Sequence, residues 1–442
     1  MVALLDKFRR KRNRAVVVGI DGLPYSLLER LAADGVMPYM GTLAGAGNLS
    51  RMKVTLPEIS AVSWPSFMTG ADPGTHGIYG FTDLKPGSYE MVFPAFRDLK
   101  CPTFWDKLGD SGKRCIVLNQ PGTYPARPIQ GVLVSGFVAI ELVKAVYPPS
   151  WIGKIKRLNY QIDIDTQLCR KNRRQLFVEL DRTLESRRAA LDTLWEQEQW
   201  DYFQAVVTGT DRLQHYIWSA IEDENHEYHE KVMNYYNAVD SFVKHVHEKY
   251  LALTGESGPG KGFFMLSDHG FCAIRQEVYL NAWLAKEGFL RFSSSEPNGI
   301  EDITDDTKVF AMDPGRLYLH RKGKYPRGCV DDSEADGIIG ELKSKLSAIE
   351  YEGGKVIQAV HLADEIYTGP RIESAPDVVA TPVDGFDLKA SVSGDEVFRK
   401  TDLEGMHNWD DAFFWSVSPT PENVNITMLA DIVTGPINGG GS

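Results

Sequence analysis

The stretch Ala15-Val16-Val17-Val18-Gly19-Ile20-Asp21-Gly22 decides how the chain folds. Its first six residues are apolar without alternation, the mark of a strand covered on both faces, as in a parallel sheet between helix layers. The run then stops at Asp21-Gly22, a turn-forming pair. Asp21 therefore stands at the carboxyl end of a buried strand, where open parallel sheets bind their ligands.

Working outward, five more runs of this kind appear at 114–118 (RCIVL), 132–136 (VLVSG), 203–208 (FQAVVT), 263–267 (FFMLS) and 377–380 (DVVA). Helical patterns lie between them, at 24–34, 103–111, 172–198 and 226–250. This alternation predicts an α/β fold: a three-layer α/β/α sandwich around a mostly parallel central sheet. Residues 140–172 and 292–335 break the rhythm and read as insertions on one core. No internal repeat interrupts the chain.

Composition bounds what such a fold does. The chain has 442 residues, with 48 Lys and Arg against 60 Asp and Glu, so its net charge is 48 − 60 = −12. An acidic chain is a poor counterion for nucleic acid, and none is expected as a partner. A hydrophobic share of 43% with 24% charged residues is globular rather than disordered. The five cysteines, Cys101, Cys115, Cys169, Cys272 and Cys329, contain no CxxC pair, which points to a reducing cytoplasm. The basic leader at 1–14 (KFRRKRNR at 7–14) is followed by too short an apolar run for a secretory signal. No window approaches the ~20 apolar residues of a membrane span. Gly-Gly-Gly-Ser at 439–442 reads as an added linker.

Acidic and histidine residues recur where strands end. Asp211 and His215 follow the run at 203–208, in TGTDRLQH. Asp268 and His269 follow 263–267, in LSDHG. His407 lies in GMHNWDD. Each has an ordinary explanation alone: an aspartate after a strand caps a helix, and Asp-His before Gly makes a turn. Together with Asp21 they supply oxygen and imidazole ligands for two three-ligand sites that suit divalent metal ions. His226, His229, His245 and His247 lie in a charged helical stretch and read as solvated, and His320 and His361 as structural.

The remaining element is LPEISAVSWPSFMTG at 56–70. Ser63 can cap a helix with Pro65 in its first turn, which places Ser60 just before a helix N-terminus, where backbone N–H groups favour an anion. A serine hydroxyl there, bound also to metal, can ionise and attack phosphorus.

VGIDG, the 56–78 segment LPEISAVSWPSFMTGADPGTHGI, Asp-x-x-x-His, Ser-Asp-His-Gly and Gly-Met-His resemble, in chain order, the alkaline phosphatase superfamily. The nearest branch is the type I phosphodiesterase/nucleotide pyrophosphatase group, within it the predicted phosphohydrolase/phosphomutase proteins. The likeness runs from about residue 15 to 432. It implies one alkaline-phosphatase-like catalytic domain over 15–438, with insertions near 140–200 and 292–335. It also implies a nucleophile at Ser60, one metal ion on Asp211, His215 and His407, and another on Asp21, Asp268 and His269, with Ser60 facing or bridging the pair. Zn²⁺ is the family default, with Mn²⁺ or Fe as alternatives.

The implied activity is hydrolysis of a small-molecule phosphate mono- or diester through a phosphoseryl intermediate, with a homo-oligomer left open. Alternatives are a phosphomutase, a phosphonate hydrolase and a non-catalytic binding protein on the same scaffold. Two departures stand out. Nucleotide pyrophosphatases place an Asn shortly after His-Gly-Ile to hold a phosphate oxygen, and here Phe81 takes that place. No arginine is evident for a third phosphate oxygen. Asn119 and Gln120 are candidates for that contact, with capping of the turn before Pro121 as their other reading. The segments 85–100, 140–200 and 292–335 are expected to shape the pocket.

Overall fold

The computed structural model describes residues 13–439. The leader at 1–14, apart from Asn13 and Arg14, and the terminal linker, apart from Gly439, lie outside the described residues. Eight strands form the central sheet: β1 (Ala15–Ile20), β2 (Asn48–Met52), β3 (Cys115–Gln120), β4 (Gly131–Ser135), β5 (Val146–Tyr147), β6 (Tyr202–Val207), β7 (Phe263–Leu266) and β8 (Ala412–Ser416). Their order is β2-β8-β7-β1-β6-β3-β4-β5. The middle five run parallel, from β7 to β4. Antiparallel strands close both edges.

The unbroken apolar run of β1 is explained by where its side chains go. Val16, Val18 and Ile20 join the apolar cluster under helices α1 (Tyr25–Ala33), α3 (Arg173–Gln197) and α5 (His229–Thr254). Ala15 and Val17 point the other way, towards α2 (Ser60–Thr69) and α6 (Leu429–Asn438). This is the three-layer α/β/α sandwich predicted for a strand covered on both faces.

One of the six predicted strands lies elsewhere. Val378–Pro382 belongs to a four-stranded antiparallel sheet with Val309–Met312, Arg316–Leu319 and Ile357–Leu362. It reads like a central strand because both of its faces are also covered. Val378 and Ala380 pack into a second apolar cluster, and Val379 packs against Leu56, Tyr79 and Tyr367 beneath the loop that leads to Ser60. The polar stretch at 292–335 is one part of this larger piece, which runs from Gln276 to Arg399 and includes the helix Asp332–Ser347. The stretch at 140–172 instead sends Trp151, Ile155, Tyr160 and Cys169 into the main core. No helix among the described residues is long and apolar enough to cross a membrane. His247 is buried against Tyr39 and the Pro259 carbonyl rather than solvated, because α5 turns that face onto β7.

Gly19 couples this framework to its upper edge. A Cβ there would stand 2.6 Å from the Trp64 ring, and Trp64 is fully buried. Gly45, exposed in the helix Pro38–Ala46, has open space around it. Gly19→Ala is therefore expected to lower stability by about 1–3 kcal/mol through overpacking. Gly45→Ala should leave stability unchanged or raise it by up to about 1 kcal/mol. Urea unfolding of the two variants checks this, and equal midpoints would refute the packing role of Gly19.

Candidate active site

All six predicted ligands gather at the carboxyl edge of the parallel strands. Asp21 follows β1, and Asp211 and His215 share one face of α4 (Gly209–Ile217), which begins just after β6. Asp268 and His269 follow β7 after Ser267. His407 comes from the short strand Gly405–Asn408, laid antiparallel on Gly270–Ala273 with Phe271 opposite it.

Ligand atoms of Asp21, Asp268 and His269 lie within 4.8 Å of one another, as do those of Asp211, His269 and His407. His215 adjoins the second group, its Nε2 3.2 Å from Asp211 Oδ2 and 3.0 Å from His407 Nε2. His269 stands between the two groups and stacks on His407 with ring centroids 3.6 Å apart. Ser60 Oγ faces the first group, 3.1 Å from His269 Nε2 and 3.3 Å from Asp21 Oδ1.

The donor set fits metal cations, and hydrogen bonds on the far side of each ring say why. Nδ1 of His215, His269 and His407 lies 2.9–3.0 Å from the carbonyls of Gly405, Gly270 and Glu58, respectively. A carbonyl only accepts, so each Nδ1 carries a proton and each Nε2 is left to face inward, the arrangement of a metal-ligating imidazole. The Nε2 atoms of His215 and His407 then face each other at 3.0 Å.

The carboxylates are equally ill at ease without a cation. Burial, reinforced by Asp268 and Asp211, holds Asp21 well above the usual carboxylate range. Burial raises Asp268 to about 7, and its Oδ2 has no hydrogen-bond partner. Burial also opposes charge on Asp211, but His215 and Arg212 outweigh it and hold that carboxyl well below its usual value. Burial, then the neighbouring His269, drops His407 to about 3. Bound cations satisfy this whole collection of inward lone pairs at once.

Residues not singled out from sequence hold the cluster in place. The Trp64 indole donates to Asp21 Oδ2 at 3.0 Å. Arg212 donates to Asp211 Oδ1 at 2.9 Å and grips Asp163 through Nε and Nη2. Buried His76 pairs with Ser66 and steadies α2. Trp64, Arg212 and His76 all lie inside the motifs quoted above, but Trp64 and Arg212 reach partners, Asp21 and Asp163, that are distant in sequence.

Two expectations are corrected. The helix begins at Ser60, with Pro65 inside it, rather than after Ser63. The first turn winds on the Ile59 carbonyl, which accepts from Val62 N–H and Ser63 N–H, so Ser60 occupies the helix's first position. Asn119 makes no contact with the cluster. Together with Gln120 it lies within β3 and is fully buried. Its amide is used internally, donating to the Val206 carbonyl and accepting from Tyr160 O–H. Gln120 pairs with Gln204.

Beside Ser60 opens a pocket with apolar walls, among them Met68, Ile78, Phe81, Leu99, Phe137 and Val138. Most of its walls come from residues 60–81 and 121–122; of the segments expected to shape it, only 85–100 contributes, through Pro94, Ala95 and Leu99, and Phe137 and Val138 complete it. No residue of 140–200 or 292–335 lines it, because those segments pack into the two apolar clusters.

Comparison with known proteins agrees with this geometry. The type I phosphodiesterase/nucleotide pyrophosphatase family matches residues 15–410. Among curated proteins, none is similar enough in sequence to match. Solved structures share the fold at low identity. Phosphonoacetate hydrolase from Sinorhizobium meliloti 1021 is 16% identical with a TM-score of 0.63, over 97% of this chain and 96% of that one. The alkaline phosphatase PafA is 14% identical with a TM-score of 0.60, over 97% and 96%. Murine ectonucleotide pyrophosphatase/phosphodiesterase 5 is 12% identical with a TM-score of 0.56, over 96% and 95%. The chain belongs to the type I phosphodiesterase/nucleotide pyrophosphatase family, and so to the hydrolases of phosphoester bonds.

Proposed function

We propose that this hydrolase uses two divalent metal ions and the Ser60 hydroxyl to cleave a small-molecule phosphate mono- or diester. One observation carries the reading: three inward Nε2 atoms and three buried carboxylates converge beside a buried serine. Asp211, His215 and His407 would hold one ion, and Asp21, Asp268 and His269 the other. Zn²⁺ is the family default for such a site, with Mn²⁺ or Fe as alternatives, since Asp and His donors are not strongly selective. Bound ions supply the positive charge that favours the serine alkoxide and offsets charge on the phosphoryl oxygens.

The chain's own groups do the rest. The first turn of α2 sets Ser60 where unpaired backbone N–H groups favour a negative oxygen. Ser60 Oγ lies 3.1 Å from His269 Nε2 and 3.3 Å from Asp21 Oδ1, beside the ion those two residues would hold. Ser60 Oγ attacks phosphorus, the ester oxygen departs and takes up a proton, and a phosphoseryl group remains. Water then attacks phosphorus in turn, restores the Ser60 hydroxyl and releases the phosphate product. Trp64 keeps Asp21 from turning away, and the Arg212–Asp163 pair does the same for Asp211.

Two measurements test the reading. Elemental analysis of purified protein is expected to give close to two divalent ions per chain. Adding Zn²⁺ to chelator-stripped protein at a hundred times its dissociation constant should stabilise it by about 2.7 kcal/mol. A protein whose thermal midpoint ignores both chelator and metal has no such site. Ser60→Ala should reduce turnover of p-nitrophenyl phosphate and bis-p-nitrophenyl phosphate by at least about 1,000-fold, since removing a nucleophile abolishes the covalent route. Undiminished turnover in that variant would assign the nucleophile elsewhere. A parallel assay of phosphonate esters separates phosphonate from phosphate hydrolysis.

A further inference from the structure

We infer that Arg187 is a positioning residue for the ion proposed at Asp211, His215 and His407, and that Tyr160 and Asn119 act with it. The inference rests on the two-ion reading and adds what fixes one half of the site from a distance. Arg187 lies on α3 and is 2% exposed, yet among the described residues no carboxylate pairs with it. Its guanidinium donates to main-chain carbonyls alone: Nη1 to Val206, and Nη2 to Gln161 at 3.1 Å and to Ile162 at 3.0 Å. A buried charge without a counter-ion is costly, and an apolar side chain of similar volume would fill the place at less cost. What only the planar fork of an arginine supplies is the gathering of three carbonyls on one group.

Those carbonyls belong to two segments that lead to the site. Val206 lies in β6, just before α4 and its Asp211, while Gln161 and Ile162 run directly into Asp163. Arg187 therefore pins the segment that carries Asp163 to the strand that leads to Asp211. A second link closes the arrangement. The Tyr160 ring lies against the guanidinium, its centroid 5.4 Å from Cζ. Its O–H donates to Asn119 Oδ1 at 3.0 Å, and Asn119 Nδ2 donates at 3.2 Å to the same Val206 carbonyl. Asn119 does this from the left-handed region, at φ 63°, which asparagine tolerates better than most side chains. With 160–163 so fixed, Asp163 accepts from Arg212 Nη2 at 2.7 Å and Nε at 3.0 Å, and Arg212 Nη1 holds Asp211 Oδ1 at 2.9 Å. Asp211 is left with Oδ2 facing the Nε2 atoms of His215 and His407, each 3.2 Å away. The other two carboxylates are held by Trp64 and the Gly22 N–H, which take no part in this series. Arg187 thus governs one metal site and leaves the other alone.

Calorimetric titration of the chelator-stripped protein with Zn²⁺ tests this. The unaltered chain should take up two equivalents. In Arg187→Met one of them should weaken by about tenfold, the low end for residues that orient metal ligands from behind, while the other keeps its affinity. Arg187→Lys preserves the charge but not the fork, so it should recover little of the loss. Asp163→Asn should weaken the same equivalent. The double variant Arg187→Met/Asp163→Asn should lose no more than Asp163→Asn alone, because the two residues act in series. Urea midpoints establish that each variant folds. If Arg187→Met does not, Tyr160→Phe carries the same test, with a loss of about threefold for one hydrogen bond. Two unchanged equivalents, equal weakening of both, full recovery in Arg187→Lys, or additive losses in the double variant would each overturn the inference. A chain that takes up no Zn²⁺ before any substitution removes the two-ion reading itself. Two tight equivalents that the variants leave untouched remove only the role of Arg187.

Discussion

Everything in the upper half of the molecule answers to one constraint: three buried carboxylates and the buried His269 converge with half-buried His215 and His407, their polar atoms aimed at one another. Burying charge without a partner is among the most unfavourable things a fold can do. The chain tolerates it by anchoring each group from behind. Carbonyls hold the rings, Trp64 and Arg212 hold two of the carboxylates, and the Gly22 N–H holds the third, Asp268. The result is a rigid negative enclosure whose complement is cationic, inside a chain whose net charge of −12 alone would predict poor affinity for phosphate.

The parallel sheet exists at that spot for a related reason. Only the carboxyl ends of β1, β6 and β7 bring residues nearly 250 positions apart in sequence into one small space, and no local element does so. The second apolar piece, from Gln276 to Arg399, contributes from below. Tyr367 donates to the Leu56 carbonyl and packs edge to face on Tyr79. The loop leading to Ser60 is thus clamped between two cores.

Much of this was legible in the residues. Five of the six predicted strands lie in the central sheet, and the six candidate ligands fall just past such runs or in a matching motif, where the fold gathers them. Buried parallel strands are continuous and apolar, so their ends are sharp. What stayed illegible depends on contacts across long separations. Val378–Pro382 looks like a central strand because burial on two faces writes the same pattern whichever sheet supplies it. Asn119 looked available because sequence cannot show Tyr160 reaching across to occupy its carbonyl. The dependence of Asp211 on Arg212 and Asp163 joins positions whose pairing has no local signature.

The acceptors behind the three rings have a consequence of their own. They belong to the main chain of Glu58, Gly270 and Gly405 rather than to side chains. Exchanging the side chain of Glu58 cannot delete its carbonyl, so which ring nitrogen carries the proton is inherited with the path of the backbone. At Gly270 and Gly405 even that freedom is closed, because a Cβ would stand 2.1 Å from Asn408 Oδ1 and 2.5 Å from the Gln214 carbonyl, respectively. Substitutions around the site are thereby sorted into those the tautomers never register and those that move the chain itself. The chemistry of the centre can survive wide divergence in composition as long as the topology persists.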